Sequence, residues 1–150
     1  MIDPKPQTTS DRLICEILES VRIIAVVGIS ANTDRPSYGV SQFLQRRGYR
    51  IVPVNPGLAG QELLGEKVYA SLADVPGTVD MVDIFRASDA AGEVAREAIR
   101  LAPAKGIKAI WMQLGVRHDA AAVEAEAAGL RVVMDRCPKI EFARLGIGQR

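Results

Sequence analysis

The residues best suited to binding chemistry lie in one loop that follows an apolar run. The run at positions 23–27 breaks at Gly28, a polar stretch follows, and an apolar-periodic segment begins after Ser37. This order is typical of a strand, a loop and a helix N-terminus, where unpaired N–H groups and the helix dipole attract anions. Gly28 permits close backbone approach, Arg35 adds a positive charge, and Ser37 is the predicted N-cap. The loop therefore predicts a site for phosphate or pyrophosphate, with a purely structural strand-to-helix turn as the alternative.

This loop differs from the glycine fingerprint of dinucleotide-binding proteins. In the pattern G-x-G-x-x-G starting at Gly28, Ser30 and Thr33 replace the second and third glycines. An acidic residue that binds the nucleotide ribose is also expected about 20 residues further on. The second apolar run ends instead in the sequence Val-Pro-Val-Asn-Pro at positions 52–56. These differences argue against NAD as the ligand.

Polar residues also follow other apolar runs. Arg86 could clamp a phosphate with two hydrogen bonds while Phe85 supplies an apolar wall, or it could be an ordinary exposed arginine. Gln113 could bind an amide of a ligand or satisfy loop backbone groups. Val54 and Asn55 are candidates for contact with a base or with amide groups of the ligand.

Cys137 is the candidate reactive thiol. It directly precedes Pro138, a residue type favoured at the first position of a helix. The helix dipole favours the thiolate of a cysteine at an N-cap, so Cys137 is either a nucleophile or a small buried apolar residue. Cys15 falls on the apolar side of the first predicted helix and is expected in the core.

The remaining polar residues do not form a recognisable catalytic or metal site. Asp80 and Asp83 lie on opposite faces of one predicted strand, so they cannot act as an acid/base pair. Asp83, near the end of that strand, is a candidate for contact with the ligand loop. The single histidine, His118, and two distant cysteines predict neither a metal site nor a disulfide.

Alternating strands and helices must position these residues. They predict one α/β domain over 10–150, with a Rossmann-like, doubly wound parallel sheet and helices on both faces, preceded by a flexible arm over 1–9. Six strands give the expected order 3-2-1-4-5-6, with the ligand at the switch point between the first and fourth strands. The predicted strands are 22–28, 50–54, 67–69, 79–85, 107–112 and 131–134. The predicted helices are 10–21, 37–47, 88–103, 120–128 and 138–145.

Composition limits the class of partner. The chain has 150 residues, 48% hydrophobic and 25% charged, with a formal net charge of +1, which gives no electrostatic case for nucleic acid or a membrane surface. No apolar run approaches the roughly 20 residues that cross a bilayer, and the N-terminus lacks the apolar segment of a signal peptide. A cytoplasmic protein is therefore expected. The first helix is amphipathic and could pack on the sheet or supply the face of a homodimer.

Five of these motifs, in order along the chain, carry a resemblance to a known family. The chain resembles the small stand-alone CoA-binding proteins, whose fold is similar to the N-terminal CoA-binding domain of the succinyl-CoA synthetase α subunit. The resemblance covers roughly Leu13 to Leu145. Its motifs are Gly28-Ile29-Ser30 with Arg35-Pro36-Ser37-Tyr38, Val52-Pro53-Val54-Asn55-Pro56, Val82-Asp83-Ile84-Phe85-Arg86, Trp111-Met112-Gln113-Leu114-Gly115 and Met134-Asp135-Arg136-Cys137-Pro138.

The resemblance implies coenzyme A as the bound cofactor and assigns residues to its parts. Arg35 stands where lysine is common in the family, which keeps the charge but changes the donor geometry. The residues implied at the phosphates are Gly28, Ile29, Ser30, Arg35 and Ser37. Those implied at the nucleotide and pantetheine are Val54, Asn55, Ile84, Phe85 and Arg86. Those implied toward the thiol end are Gln113 and Cys137.

Three functional hypotheses follow. The leading one is a protein that binds coenzyme A or an acyl-CoA as carrier, sensor or accessory protein, with no catalytic residue of its own. The chain is too short for a complete acyl-CoA synthetase, and His118 does not match the phosphohistidine of such enzymes. The second is a thiol-redox protein that forms a mixed disulfide between Cys137 and CoA. The third is an NAD(P)-binding protein, which rests on fold analogy alone.

Overall fold

A computed structural model describes residues 5–6 and 9–148 of the chain. Most of the predicted arm at 1–9 lies outside the described residues, as do the last two residues of the predicted domain, so both boundaries stay predictions. The described residues form seven strands: β1 (Ile23–Val27), β2 (Arg50–Val54), β3 (Glu62–Leu63), β4 (Glu66–Lys67), β5 (Met81–Ile84), β6 (Ala109–Met112) and β7 (Arg131–Val133). They also form five α-helices: α1 (Asp11–Ser20), α2 (Pro36–Arg46), α3 (Ser88–Lys105), α4 (Asp119–Ala127) and α5 (Pro138–Leu145). Short 3-10 helices cover Pro56–Leu58 and Leu72–Asp74.

Five of the strands form one parallel sheet in the order β2-β1-β5-β6-β7. Helices lie on both faces, so the predicted Rossmann-like α/β architecture is confirmed. The chain crosses from one side of β1 to the other between β2 and β5. The switch point therefore lies between β1 and β5, where the ligand was expected.

The sheet differs in detail from the expected six strands because the predicted third strand is a single bridge. Tyr69 pairs in parallel with Val54, at the position expected for that strand, but its neighbours do not extend the pairing. Lys67 pairs instead with Glu62 in the β3–β4 hairpin. The hairpin turns at Leu64 and Gly65, whose φ angles of 54° and 76° match the positive values of a type I′ turn.

Both faces of the sheet are buried. Successive residues of β5 alternate between a cluster under α3 and α4, which holds Val82, and a cluster under α1, α2 and α5, which holds Met81. Burial on both faces explains the continuous apolar runs of the strands. The apolar residues of α1, including Ile14 and Leu18, are buried in this chain's own core, and the side chain of Ser10 caps the helix. No described helix is long and apolar enough to cross a bilayer.

Gly28 occupies the tightest position at the switch point. Its φ is +92°, and a Cβ atom placed there would lie 2.4 Å from the carbonyl oxygen of Phe85 and 2.8 Å from Cδ of Arg86. The close approach that requires glycine is therefore between the ends of β1 and β5. The two strand ends are in direct backbone contact, which fixes the floor of the expected ligand site.

We predict that Gly28→Ala destabilises the protein far more than Gly129→Ala. Gly129 has a similar φ of +89° but open space where a Cβ would lie, so its substitution tests the backbone conformation alone. We expect Gly129→Ala to lower the free energy of unfolding by about 1–2 kcal/mol. Gly28→Ala adds a steric clash and should cost roughly 2–5 kcal/mol. Urea unfolding measures both, and equal losses would contradict the close contact.

Candidate functional site

A cavity of about 890 Å³ opens at the switch point. It is bounded by residues that follow β1, β5, β6 and β7 and by the first turns of α2 and α5. The structure brings eight of the twelve predicted site residues to its walls: Gly28, Ser30, Arg35, Ser37, Phe85, Arg86, Gln113 and Cys137. Motifs that are distant in sequence thus meet in one place.

The other four predicted residues do not line the cavity. Ile29, Val54 and Ile84 are buried in the core. Asn55 is half-buried, and its side chain donates a hydrogen bond to the carbonyl of Ile29 at 2.8 Å and accepts one from the N–H of Gly57 at 2.9 Å. Asn55 therefore ties the end of β2 to the loop after β1, and in this arrangement it holds the loop in place.

Side-chain hydrogen bonds shape the loop between β1 and α2. Ser37 Oγ accepts from the N–H of Ser30 at 2.9 Å, and Ser30 Oγ accepts from the N–H of Asn32 at 3.0 Å. The prediction that Ser37 is the N-cap of α2 is wrong. The N-cap is Arg35, because Pro36, with its fixed φ, starts the helix one residue earlier. Ser37 is buried within the first turn, where its hydroxyl binds the loop.

The same loop leaves backbone donors available to a ligand. Within the described residues, the N–H groups of Ile29, Ala31, Thr33 and Ser37 donate to no protein acceptor. They lie in the loop before α2 and in its first turn, where the helix dipole is positive. This loop therefore has the donor set of an anion site.

Cationic side chains on the cavity wall also favour the binding of an anion. Arg35, Arg86 and Lys139 line the cavity, and Asp34 is its single acidic lining residue. Sequence reasoning missed Lys139, although its position, two residues after Cys137 at the start of a predicted helix, was a usable signal. The excess of cationic groups favours a ligand with more than one negative charge.

The opposite end of the cavity is formed by Gln113 and Cys137. Cys137 is the N-cap of α5 with Pro138 at the first helical position, as predicted, and its side chain makes no capping hydrogen bond. It is 6% exposed and lines the cavity. Gln113 is also 6% exposed, and its Oε1 atom accepts no hydrogen bond from the described residues.

A charged network anchors α5 behind these groups. Buried Glu141 accepts hydrogen bonds from Arg136 at 2.8 Å and from Arg144 at 3.0 Å, and Arg144 also binds Asp11 of α1 at 2.7 Å. The hydrogen bond from Arg144 is the largest effect that holds the pKa of Glu141 below its usual value. The network fixes the first turn of α5, and with it the position of Cys137.

Asp83 makes no hydrogen bond to the ligand loop. It is fully buried on the face of the sheet that packs against α1, α2 and α5, in register with Val26 and Trp111. Neither carboxyl oxygen has a hydrogen-bond partner among the described residues. Burial raises the pKa of Asp83 to about 8, so the folded protein holds a neutral carboxyl at pH 7.

We predict that Asp83 makes the protein less stable as the pH rises. The unfolded carboxyl ionises near pH 4 and the folded one only near pH 8, so the unfolded state binds fewer protons between these values. The stability of Asp83→Asn relative to the natural protein should therefore increase from pH 5 to pH 8, by up to about 1.4 kcal/mol per pH unit. Urea unfolding across this range measures the difference. If the free energies of unfolding of the natural protein and of Asp83→Asn changed with pH by the same amount, Asp83 would not titrate in this way.

A second cleft, of about 670 Å³, lies at the other ends of the strands. It is lined by the end of α1 and by residues before and at the start of β6 and β7, among them Glu16, Lys108 and Arg131. Glu16 and Arg131 bind each other at 2.9 Å. None of the predicted site residues lies in this cleft, so we place the candidate site at the switch point. Nowhere in the described parts of the chain do three or more His, Cys, Asp or Glu side chains group as a metal ion would require.

Comparison with known proteins identifies the family to which this fold and site belong. The family model described as a CoA binding domain matches residues 22–143, and the chain belongs to that family. It is 38% identical over 138 residues to the uncharacterized protein YneT of Bacillus subtilis, an alignment that covers 91% of this chain and 97% of YneT. The resemblance read from the five sequence motifs is thereby confirmed.

Two further comparisons extend this result. A solved structure of a hypothetical protein from Pyrococcus horikoshii is 35% identical, with a TM-score of 0.83, and the match covers 97% of this chain and 99% of that one. The ADP-forming acetate–CoA ligase II of Archaeoglobus fulgidus is 33% identical over 87 residues, which are 57% of this chain and only 12% of the enzyme. The similarity to this ligase is thus confined to one part of a much larger protein.

Proposed function

We propose that the protein binds coenzyme A or an acyl-CoA in the switch-point cavity, as a carrier, sensor or accessory protein without its own catalysis. The observation that carries the proposal is the loop between β1 and α2. It combines unpaired N–H groups with the first turn of a helix and with Arg35, in a chain of the CoA-binding domain family. A cytoplasmic location and a homodimer remain predictions.

The pyrophosphate of CoA is the part of the ligand that this loop fits best. The loop carries the N–H groups of Ile29, Ala31 and Thr33, which have no acceptor among the described residues, and the guanidinium groups of Arg35 and Arg86 on the cavity wall supply charge-assisted hydrogen bonds. Phe85 offers an apolar wall beside them. In this assignment Val54, Ile84 and Asn55 support the nucleotide end without lining the cavity, and Gln113 and Cys137 face the thiol end.

NAD fits the same loop less well. The positions that need glycine for close approach to a pyrophosphate hold Ser30 and Thr33, and Ser30 is already engaged with Ser37 and Asn32. The residue after β2 is Asn55, whose amide is committed to Ile29 and Gly57. It therefore cannot serve as the acidic ribose ligand of a nicotinamide dinucleotide.

We predict that isothermal titration detects CoA and acetyl-CoA binding and no NAD binding. Arg35→Gln should weaken CoA binding roughly tenfold, or about 1.4 kcal/mol, because an exposed guanidinium that contacts phosphate contributes at the lower end of charge-assisted hydrogen bonds. The matched control is Arg100→Gln, which removes an exposed arginine of α3 outside the cavity. This control should bind CoA like the natural protein.

Other outcomes of this titration would count against the proposal in different ways. NAD binding without CoA binding would show that the cavity binds a nicotinamide dinucleotide and not CoA. Equal losses in Arg35→Gln and Arg100→Gln would show that the effect is one of net charge and that Arg35 does not contact the phosphates.

A thiol-redox role is the second candidate, favoured by the position of Cys137 on the cavity wall. Its thiolate would attack one sulfur of a CoA disulfide, forming the Cys137–CoA bond and breaking the bond between the two CoA molecules. One CoA leaves as a thiolate and takes up a proton from water. The exchange consumes one disulfide and forms one, so it needs no further oxidant.

We predict that CoA disulfide adds one CoA to the natural protein, measured by intact mass without reductant. Dithiothreitol should remove the adduct, because the bond is a disulfide. Cys137→Ser should remain unmodified, whereas the matched control Cys15→Ser should carry the adduct. An adduct that persists in Cys137→Ser would exclude Cys137 as the modified residue.

A further inference from the structure

A smaller groove continues the cavity along the seam between α2 and α5. Its volume is about 330 Å³, and it is lined by Phe43, Arg47, Lys139, Ile140, Phe142 and Ala143. Lys139 and Ile140 also line the cavity, so the groove leads away from the Cys137 end of the cavity. On the α2 side, one helical turn, roughly 5 Å, separates Val40 in the cavity from Phe43 in the groove. A ligand in the cavity can therefore extend into the groove.

The floor of the groove is apolar. The rings of Phe43 and Phe142 meet there edge to face, with 5.8 Å between their centroids. Ile140, an exposed apolar side chain, lies where the cavity and the groove join. A hydrocarbon chain that passes from the cavity into the groove covers this apolar surface, which is favourable.

Two cationic groups lie over this floor and have no carboxylate partner. The guanidinium carbon of Arg47 is 4.9 Å from the centroid of the Phe43 ring, and the ammonium nitrogen of Lys139 is 5.7 Å from the same centroid. Neither residue forms an ion pair within the described chain, and no acidic side chain lines the groove. By contrast, Arg144 of the same helix is paired with Glu141. Two positive charges around one ring repel each other, and an anion bound beside both offsets that repulsion.

We infer that the groove binds the acyl group of an acyl-CoA whose chain ends in a carboxylate, the thioester of a dicarboxylic acid. The chain leaves the cavity past Ile140, and its methylene groups pack against Phe43. The terminal carboxylate accepts charge-assisted hydrogen bonds from Arg47 and Lys139. A plain hydrocarbon chain covers the same floor but leaves both cations without an anion. The inference rests on the proposed function, because CoA must occupy the cavity for its acyl group to enter the groove.

The decisive experiment compares adipoyl-CoA with hexanoyl-CoA, which carry six acyl carbons each and differ in the terminal carboxylate. Isothermal titration of the natural protein should give roughly tenfold tighter binding of adipoyl-CoA, the value of about one charge-assisted hydrogen bond near the surface. In Arg47→Gln the ratio of the two affinities should fall to about threefold or less, because Lys139 alone then faces the carboxylate. Arg100→Gln removes the same charge from an exposed position outside the cavity and the groove, and should keep the natural ratio.

Each other outcome of this comparison has one meaning. Equal affinity of the natural protein for the two thioesters, or tighter binding of hexanoyl-CoA, overturns the carboxylate site, while CoA binding still supports the proposed function. A natural ratio retained by Arg47→Gln, or an equal fall in Arg100→Gln, overturns the role of Arg47. Failure of CoA and both thioesters to bind overturns the proposed function, and the inference with it. The comparison in the natural protein stands even if Arg47→Gln does not fold.

Discussion

The contact between Gly28 and the carbonyl of Phe85 constrains the rest of the site. The ends of β1 and β5 must approach within a distance that excludes any side chain at position 28. The loops that follow β1 and β5 diverge at the switch point, which leaves a crevice between them. The contact at Gly28 closes the base of this crevice. The loop before α2 can then lie over the end of β5, and Arg35 and Arg86 come to the same cavity.

Two helices begin at this cavity and pack against each other away from it. The ring of Phe43 in α2 contacts that of Phe142 in α5 edge to face, with 5.8 Å between centroids, and Tyr49 contacts Phe142 at 5.9 Å. Aromatic pairs of this geometry stabilise the packing beyond simple burial. The two helix N-termini are therefore held in fixed relation, one beside arginines and the other beside apolar side chains and Gln113. This difference matches a ligand that is charged at one end of the cavity and neutral at the other.

Much of the fold was readable from the sequence because strong periodic signals marked it. The buried strands, the switch point and the position of Cys137 at the start of α5 depend on local residue patterns. The parts that failed depend on contacts between distant residues or on competing local effects. Pro36 overrode Ser37 as the start of α2, and the turn at Leu64 and Gly65 turned the expected third strand into a hairpin.

The sequence predicted which strand ends form the candidate site, but it did not predict the role of each residue there. Eight residues were placed on the cavity wall by their position after apolar runs. The sequence could not show that Asn55 binds the loop through Ile29, since that contact joins two strand ends. Nor could it show that the Asp83 carboxyl has no hydrogen-bond partner among the described residues, because three elements must pack on it first.

The ion pair between Arg144 and Asp11 makes the two ends of the cavity differ in their response to ionic strength. The floor at Gly28 is held by backbone contacts and sheet hydrogen bonds, which dissolved salt does not screen. The first turn of α5 is held partly by Arg144 and Asp11, whose side chains are 40% and 63% exposed. Salt weakens pairs of this exposure. High ionic strength therefore loosens the Cys137 end of the cavity first, while the floor keeps its shape.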